Sequence, residues 1–200
     1  TLYDPNVLGQ GPGASVDTGR SFRVHYGEDQ TLIQMAARSR NLWMHWEREL
    51  GRPLLHTTGK LLIEEPGDRH ARDSWRALRR LGLRADRMSK GAVSEEWPGL
   101  CTGAATVDRM GGVLDPLVIL QGMQVWLNSK GVEFRGEAFD VTPQSVLCKQ
   151  GKANFDAVVL TAGAWTRRWV NAAMEVTRQE LVYMDASALG ERLQKEPVSS

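Results

Sequence analysis

The sequence predicts a mixed α/β (α+β) fold, and three observations predict it. Apolar residues recur at helical spacing from Gln30 to Leu50. The apolar run within Phe155-Asp156-Ala157-Val158-Val159-Leu160-Thr161-Ala162-Gly163-Ala164-Trp165 has the pattern of a central parallel strand entering a glycine turn. Short strand-like segments alternate with helices along the whole chain, and no internal repeat emerges.

Thr1-Leu2-Tyr3-Asp4-Pro5 reads as the end of a strand, with apolar residues running into an acid and a chain-turning proline. A loop of small and polar residues follows up to Tyr26. The helix at 30–50 carries Leu32, Met35, Ala36, Leu42, Trp43, Trp46 and Leu50, with Asp29 to cap its start and Gly51 to end it. Leu54 to Ile63 reads as two short strands about a Thr58-Gly59 turn. A second amphipathic helix spans about Arg69 to Leu81, and a short one spans Ser89 to Glu96, stopped by Trp97-Pro98-Gly99. Ala104 to Val107 is expected as a strand. Asp115-Pro116 opens a helix that Lys130-Gly131 closes. Gly131 to Arg135 then reads as a strand, and Phe139–Val141 with Ser145–Lys149 as a hairpin about Thr142-Pro143-Gln144.

Composition narrows the function. Two hundred residues suffice for one full domain or two small ones, and 42% apolar with 24% charged residues is ordinary for a folded chain. A net charge of +1 supplies no field to hold nucleic acid or an anionic membrane. Cys101 and Cys148 are too few and too far apart for a metal or disulfide framework, so both read as reduced thiols in a cytoplasmic protein. No stretch approaches a membrane span in length, and the N-terminus lacks a signal-peptide pattern. The opening strand tail lacks a strand before it, and 188–200 reads as a fraying tail without a closing element. The chain is therefore expected to be part of something longer.

Gly9, Gly11 and Gly13 suggest a phosphate loop, but the spacing lacks a third glycine at the proper interval and a following apolar helix, which favours a surface loop. His25, His45, His56 and His70 show no metal-binding spacing. The arginines between Arg69 and Arg87 are interleaved with Asp68, Asp73 and Asp86, the pattern of a solvated face. Arg20 and Arg23 stand in a segment with few neutralising acids. A guanidinium there can bind a carboxylate through two parallel bonds or face a ring that gains negative charge, while plain surface arginines are the competing reading.

Taken in order, several of these pieces resemble the flavin-dependent D-amino-acid oxidase superfamily, and most of all its monomeric sarcosine oxidase branch. The pieces are the Leu2-Tyr3-Asp4 strand end, the Gly13-Ala14-Ser15 loop leading to Arg20-x-x-Arg23 and Tyr26-Gly27, and the long helix followed by Thr58-Gly59. Trp97-Pro98-Gly99, Gly112-Val113-Leu114-Asp115-Pro116 and Val159 to Trp165 complete the set, which extends from Leu2 to about Gln179.

The resemblance implies a partial FAD-binding, Rossmann-like domain (residues 1–50 and 106–175) interleaved with part of an antiparallel-sheet substrate domain (51–105 and 176–200). It implies FAD as cofactor and a small amine or amino acid as substrate. Asp4 would bind the adenosine ribose, and Gly13, Ala14 and Ser15 would let the backbone approach the flavin. Arg20, with Ser21 in the cofactor set, would lie against the isoalloxazine, and Arg23 would hold the substrate carboxylate. Arg135 and Gly136 would flank adenine, and Thr161, Ala162, Gly163 and Trp165 would form the last Rossmann strand and its turn. The dinucleotide fingerprint Gly-x-Gly-x-x-Gly is expected ahead of Thr1, and Val16 and Gly19 replace the His and Thr of some sarcosine oxidases. Three readings stay open: an FAD-dependent amine or amino-acid oxidase, a non-catalytic fragment or interaction module of this fold, and an oxidase of hydroxy acids or glycerol phosphate.

Overall fold

The computed structural model describes residues 1–15, 18–97, 103–177 and 198–199. The chain opens with β1 (Leu2–Tyr3) and, after the glycine loop, β2 (Arg20–Phe22). Helix α1 (Gln30–Leu50) starts where the Asp29 carboxylate accepts from the Leu32 amide at 3.0 Å and ends at Gly51, whose φ of 65° is natural only to glycine. Next come β3 (Leu55–His56), β4 (Lys60–Ile63), α2 (His70–Arg80) and β5 (Ala85–Met88). Ser89 caps α3 (Lys90–Glu96) by accepting from the Ala92 amide at 3.2 Å, and β6 (Ala105–Asp108) and β7 (Gly112–Leu114) follow. Helix α4 (Pro116–Ser129) leads to β8 (Phe134–Arg135), β9 (Ala138–Thr142), β10 (Ser145–Cys148), β11 (Gly151–Asn154), a 3-10 helix at Gly163–Arg168 and β12 (Val198–Ser199).

Two compact units emerge: residues 1–18 with 116–183, and residues 19–115 with 184–200. In the first, β1 and β8 pair in parallel, Leu2 with Phe134 and Tyr3 with Arg135. A separate antiparallel sheet runs β11-β10-β9, with the expected hairpin turning between Thr142 and Ser145. In the second unit β7 lies between β2 and β3, and β6 lies between β4 and β5, all antiparallel. Phe22, Val24, Ile33, Ala36, Leu55, Ala77 and Leu78 form one core beneath α1 and α2. Leu61, Val93, Trp97, Ala105 and Val107 form another.

Three expectations are corrected. Helix α1 buries Ile33 and Ala36 and packs Ala37 and Trp43 beside them, whereas Leu32, Met35 and Leu42 are exposed. Packing of Ile33, Ala36, Ala37 and Trp43 into the core sets the inward face, and Glu47 ties the end of the helix to the next segment by accepting from the Leu54 and Leu55 amides, both at 2.9 Å. The run Ala157 to Thr161 is not a strand. It joins none of the ladders among the described residues; Phe155 N–H donates to the Gln144 carbonyl and Val158 N–H to the Pro143 carbonyl, which ties the stretch to the β9–β10 turn. Two short strands flank Thr58-Gly59 as expected, β3 pairing with β7 and β4 with β6 in different sheets. At the chain end, Val198–Ser199 pair in parallel with Lys60–Leu61 rather than fraying. Pro98, Gly99, Cys101 and Val16 lie outside the described residues, while Cys148 is a buried free thiol. Among the described residues no helix is long and apolar enough to cross a membrane.

Candidate active site

Past β2 the chain alternates its sides: Phe22, Val24 and His25 are buried, whereas Ser21 and Arg23 are exposed. The pleat sets Arg20, paired with Leu114 on β7, on the side opposite Ser21. Arg23 forms no hydrogen bond or ion pair among the described residues. Its guanidinium lies over the Tyr26 ring, 4.9 Å from the centroid, which restrains the side chain.

Asp108, fully buried at the end of β6, holds this segment in place. Its Oδ2 accepts from the Val24 amide at 2.7 Å and lies 3.1 Å from His25 Nδ1, while Oδ1 accepts from the Met110 and Gly111 amides at 2.9 and 3.1 Å. One carboxylate thus ties the residue after Arg23 to the β6–β7 turn. Burial pushes the Asp108 carboxyl up, but the His25 and Val24 bonds outweigh it and hold the group below its usual range. Burial also lowers the His25 pKa, against the pull of Asp108. The pair is therefore a carboxylate and a neutral imidazole that donates from Nδ1.

Lys60, 5% exposed on β4, reaches the same place from beneath, its Nζ donating to Ser21 Oγ at 2.8 Å. Burial lowers its pKa, and Arg23 lowers it further against the pull of Asp108. Close packing fixes the approach: a Cβ on Gly111 would stand 3.0 Å from Lys60 Cβ, and one on Gly112 would overlap the His56 carbonyl oxygen. The Gly112-Val113-Leu114-Asp115-Pro116 motif thus begins with a glycine that the middle strand of the β2-β7-β3 sheet requires.

In the other unit, Asp4 stands at the tip of β1. Its amide donates to the Arg135 carbonyl at 3.1 Å, and its Oδ1 accepts from the Asn6 amide at 2.8 Å. Among the described residues no hydrogen bond reaches its Oδ2. Gly136 follows Arg135 directly, so Asp4, Arg135 and Gly136 meet at one end of a parallel strand pair. The next residue, Glu137, accepts from Arg168 at 3.3 Å, an exposed bridge that ties the 3-10 helix containing Gly163 and Trp165 to this stretch. Arg135 itself pairs with Glu133 at 2.9 Å. Gly13, Ala14 and Ser15 form an exposed turn, and a Cβ on Gly13 would meet open space. Gly9 instead rests on Leu117 and Leu120 of α4, with a φ of 84°. Thr161 and Ala162 lie in the unpaired stretch before the 3-10 helix.

Sequence reasoning missed Asp108 and Lys60 and gave His25 no role. The signals were an acid ending the apolar strand Ala105–Asp108 and a lysine opening the apolar strand Lys60–Ile63, both oddities for buried strands. Neither one identifies its partner.

The fold is that of the amino-acid oxidases. NikD, an unusual amino acid oxidase essential for nikkomycin biosynthesis, superposes with a TM-score of 0.69 at 17% identity over 84% of this chain and 46% of that one. Glycine oxidase from Geobacillus kaustophilus gives 0.71 at 21% over 83% and 49%. L-proline dehydrogenase from P. horikoshii gives 0.69 at 19% over 80% and 45%. In sequence, the monomeric sarcosine oxidase of Bacillus sp. (strain B-0618) is 24% identical over 159 residues, 74% of this chain and 41% of that protein. The DAO family model, described as FAD dependent oxidoreductase, matches residues 1–195, and the chain belongs to this family. It spans less than half the length of these relatives.

The residues present fit the family's FAD at its adenosine end. A carboxylate at a parallel strand tip, with one oxygen fixed by a backbone amide and the other open, is a matched acceptor for a ribose hydroxyl.

Proposed function

We propose that the protein oxidises the C–N bond of an amino acid or N-alkyl amino acid to an imine, which water then hydrolyses. Bound FAD would accept the two electrons and the hydrogen leaving carbon. The observation that carries this reading is Arg23: an arginine that makes no ion pair among the described residues, stacked on Tyr26, whose backbone neighbour Val24 is anchored by a buried carboxylate. Such a guanidinium is preorganised for a carboxylate and would orient the substrate's reacting carbon.

Asp4 would hold the ribose, with Arg135 and Gly136 beside the adenine. The exposed turn of Gly13, Ala14 and Ser15 and the stretch of Thr161, Ala162, Gly163 and Trp165 would border the remainder of the cofactor. Arg20 would supply positive charge to the reduced ring. The sarcosine-oxidase resemblance favours N-methyl amino acids, and the cysteine reading favours the cytoplasm. The test is flavin content: full-length protein should release FAD on denaturation, and Asp4→Ala should weaken FAD binding about tenfold, the cost of one charge-assisted bond. A colourless full-length protein would overturn the proposal.

A further inference from the structure

Lys60 has no role in the reading above, yet its environment is hard to account for by packing alone. An ammonium carries three donors. Lys60 is 5% exposed and, among the described residues, uses one of them, on Ser21 Oγ at 2.8 Å. The nearest acid cannot serve it, because both oxygens of Asp108 are taken by Val24, His25, Met110 and Gly111. The other charged neighbour is Arg23, a second cation. Among the described residues, then, a buried, underpaired ammonium lies beside an arginine that makes no ion pair, an electrostatic arrangement that an anion would complete.

Ser21 shows where that anion would sit. A hydroxyl has one donor and two acceptor positions. With its oxygen accepting from Lys60, its own proton is directed elsewhere. Ser21 and Arg23 are both exposed while Phe22 and Val24 between and after them are buried, so the hydroxyl and the guanidinium share one open side. A carboxylate, with about four lone-pair sites, can accept from both at once.

We propose that Lys60 is a positioning residue for carboxylate recognition: it orients the Ser21 hydroxyl toward an anion held by Arg23 and so selects carboxylate-bearing substrates over plain amines. This rests on Arg23 being the carboxylate's partner, and it turns Ser21 toward the substrate rather than the cofactor. Lys60 acts through Ser21 and is not itself catalytic.

The test uses the full chain labelled with 15N at lysine and arginine, acetate as the probe and ethylamine as the carboxylate-free control. Acetate should move the Lys60 Nζ and Arg23 Nε signals together and saturably, and ethylamine should move neither. Lys60→Met should weaken acetate binding, followed at Arg23 Nε, by about tenfold without lowering the melting temperature, since it removes an underpaired buried charge. Ser21→Ala should uncouple the Lys60 signal from acetate. If the Arg23 signal responds while Lys60 stays silent and Lys60→Met binds acetate as tightly as the parent, the role of Lys60 is refuted and that of Arg23 survives. If neither signal responds to acetate, both readings fall.

Discussion

Replacing Asp108 with alanine removes four hydrogen bonds at once, from Val24 N–H at 2.7 Å, His25 Nδ1 at 3.1 Å, Met110 N–H at 2.9 Å and Gly111 N–H at 3.1 Å. Val24 is wholly buried and His25 is 1% exposed, so water cannot replace the carboxylate there without opening the core. At about 1 kcal/mol for each donor left without a partner, the loss is about 4 kcal/mol, a large part of the 5–15 kcal/mol of a typical domain. Asp108→Asn keeps one acceptor oxygen for Met110 and Gly111 but turns an NH2 toward the Val24 amide, and should cost about 2 kcal/mol. Urea unfolding followed by the fluorescence of the seven tryptophans reads both. With a slope of about 2 kcal/mol per molar, the alanine variant's midpoint should drop by about 2 M and the asparagine variant's by about half that. Midpoints within about 0.3 M of the parent would refute the claim that this carboxylate anchors the Arg23 segment.

Three further outcomes follow from the same geometry. Burial sets the folded-state pKa of His25 below its ordinary 6.5, so the unfolded chain binds the extra proton as pH falls through that value. Stability should be full above about pH 6.5 and decline on acidification toward the lower folded-state pKa, with Asp108 adding its own loss below the ordinary 3.8; His25→Asn should flatten the upper part of that slope in urea midpoints measured against pH. Gly112→Ala should destabilise by about 3 kcal/mol or abolish folding, because its Cβ meets the His56 carbonyl within the β7–β3 ladder; thermal melting checks it. Glu47→Ala leaves the Leu54 and Leu55 amides without their acceptor and should cost about 2 kcal/mol, whereas Glu47→Gln keeps an acceptor oxygen and should cost under about 1 kcal/mol in the same melts.

Elements governed by local rules were legible in the sequence. Helix α1 begins and ends where Asp29 and Gly51 place it, Ser89 opens α3, and the Thr142-Pro143-Gln144 turn joins β9 and β10. What depends on distant partners was not. The inward face of α1 is set by packing against residues far along the chain, such as Leu55, Ala77 and Leu78, and the apolar run at 157–161 stays unpaired because strand formation needs a neighbour that its own residues do not supply. Strand β5, Ala-Asp-Arg-Met, lacks an apolar run and takes its conformation from pairing with β6 and from burying Ala85 in the core. At the candidate site, Arg20 and Arg23 stand out by local charge. The Asp108 clamp lies 84 residues from Val24 and Lys60 lies 39 from Ser21, separations at which spacing carries no signal.

The central claim is that the Arg23 side of this fold presents an amino acid to FAD. The most direct measurement mixes full-length, flavin-loaded protein anaerobically with N-methyl amino acids, glycine and proline, and with hydroxy acids for comparison, while flavin absorbance is followed. Bleaching by an amino acid, slowed strongly in Arg23→Met at equal flavin content, is the predicted result; bleaching by hydroxy acids alone, or by an amino acid equally well without Arg23, would contradict it.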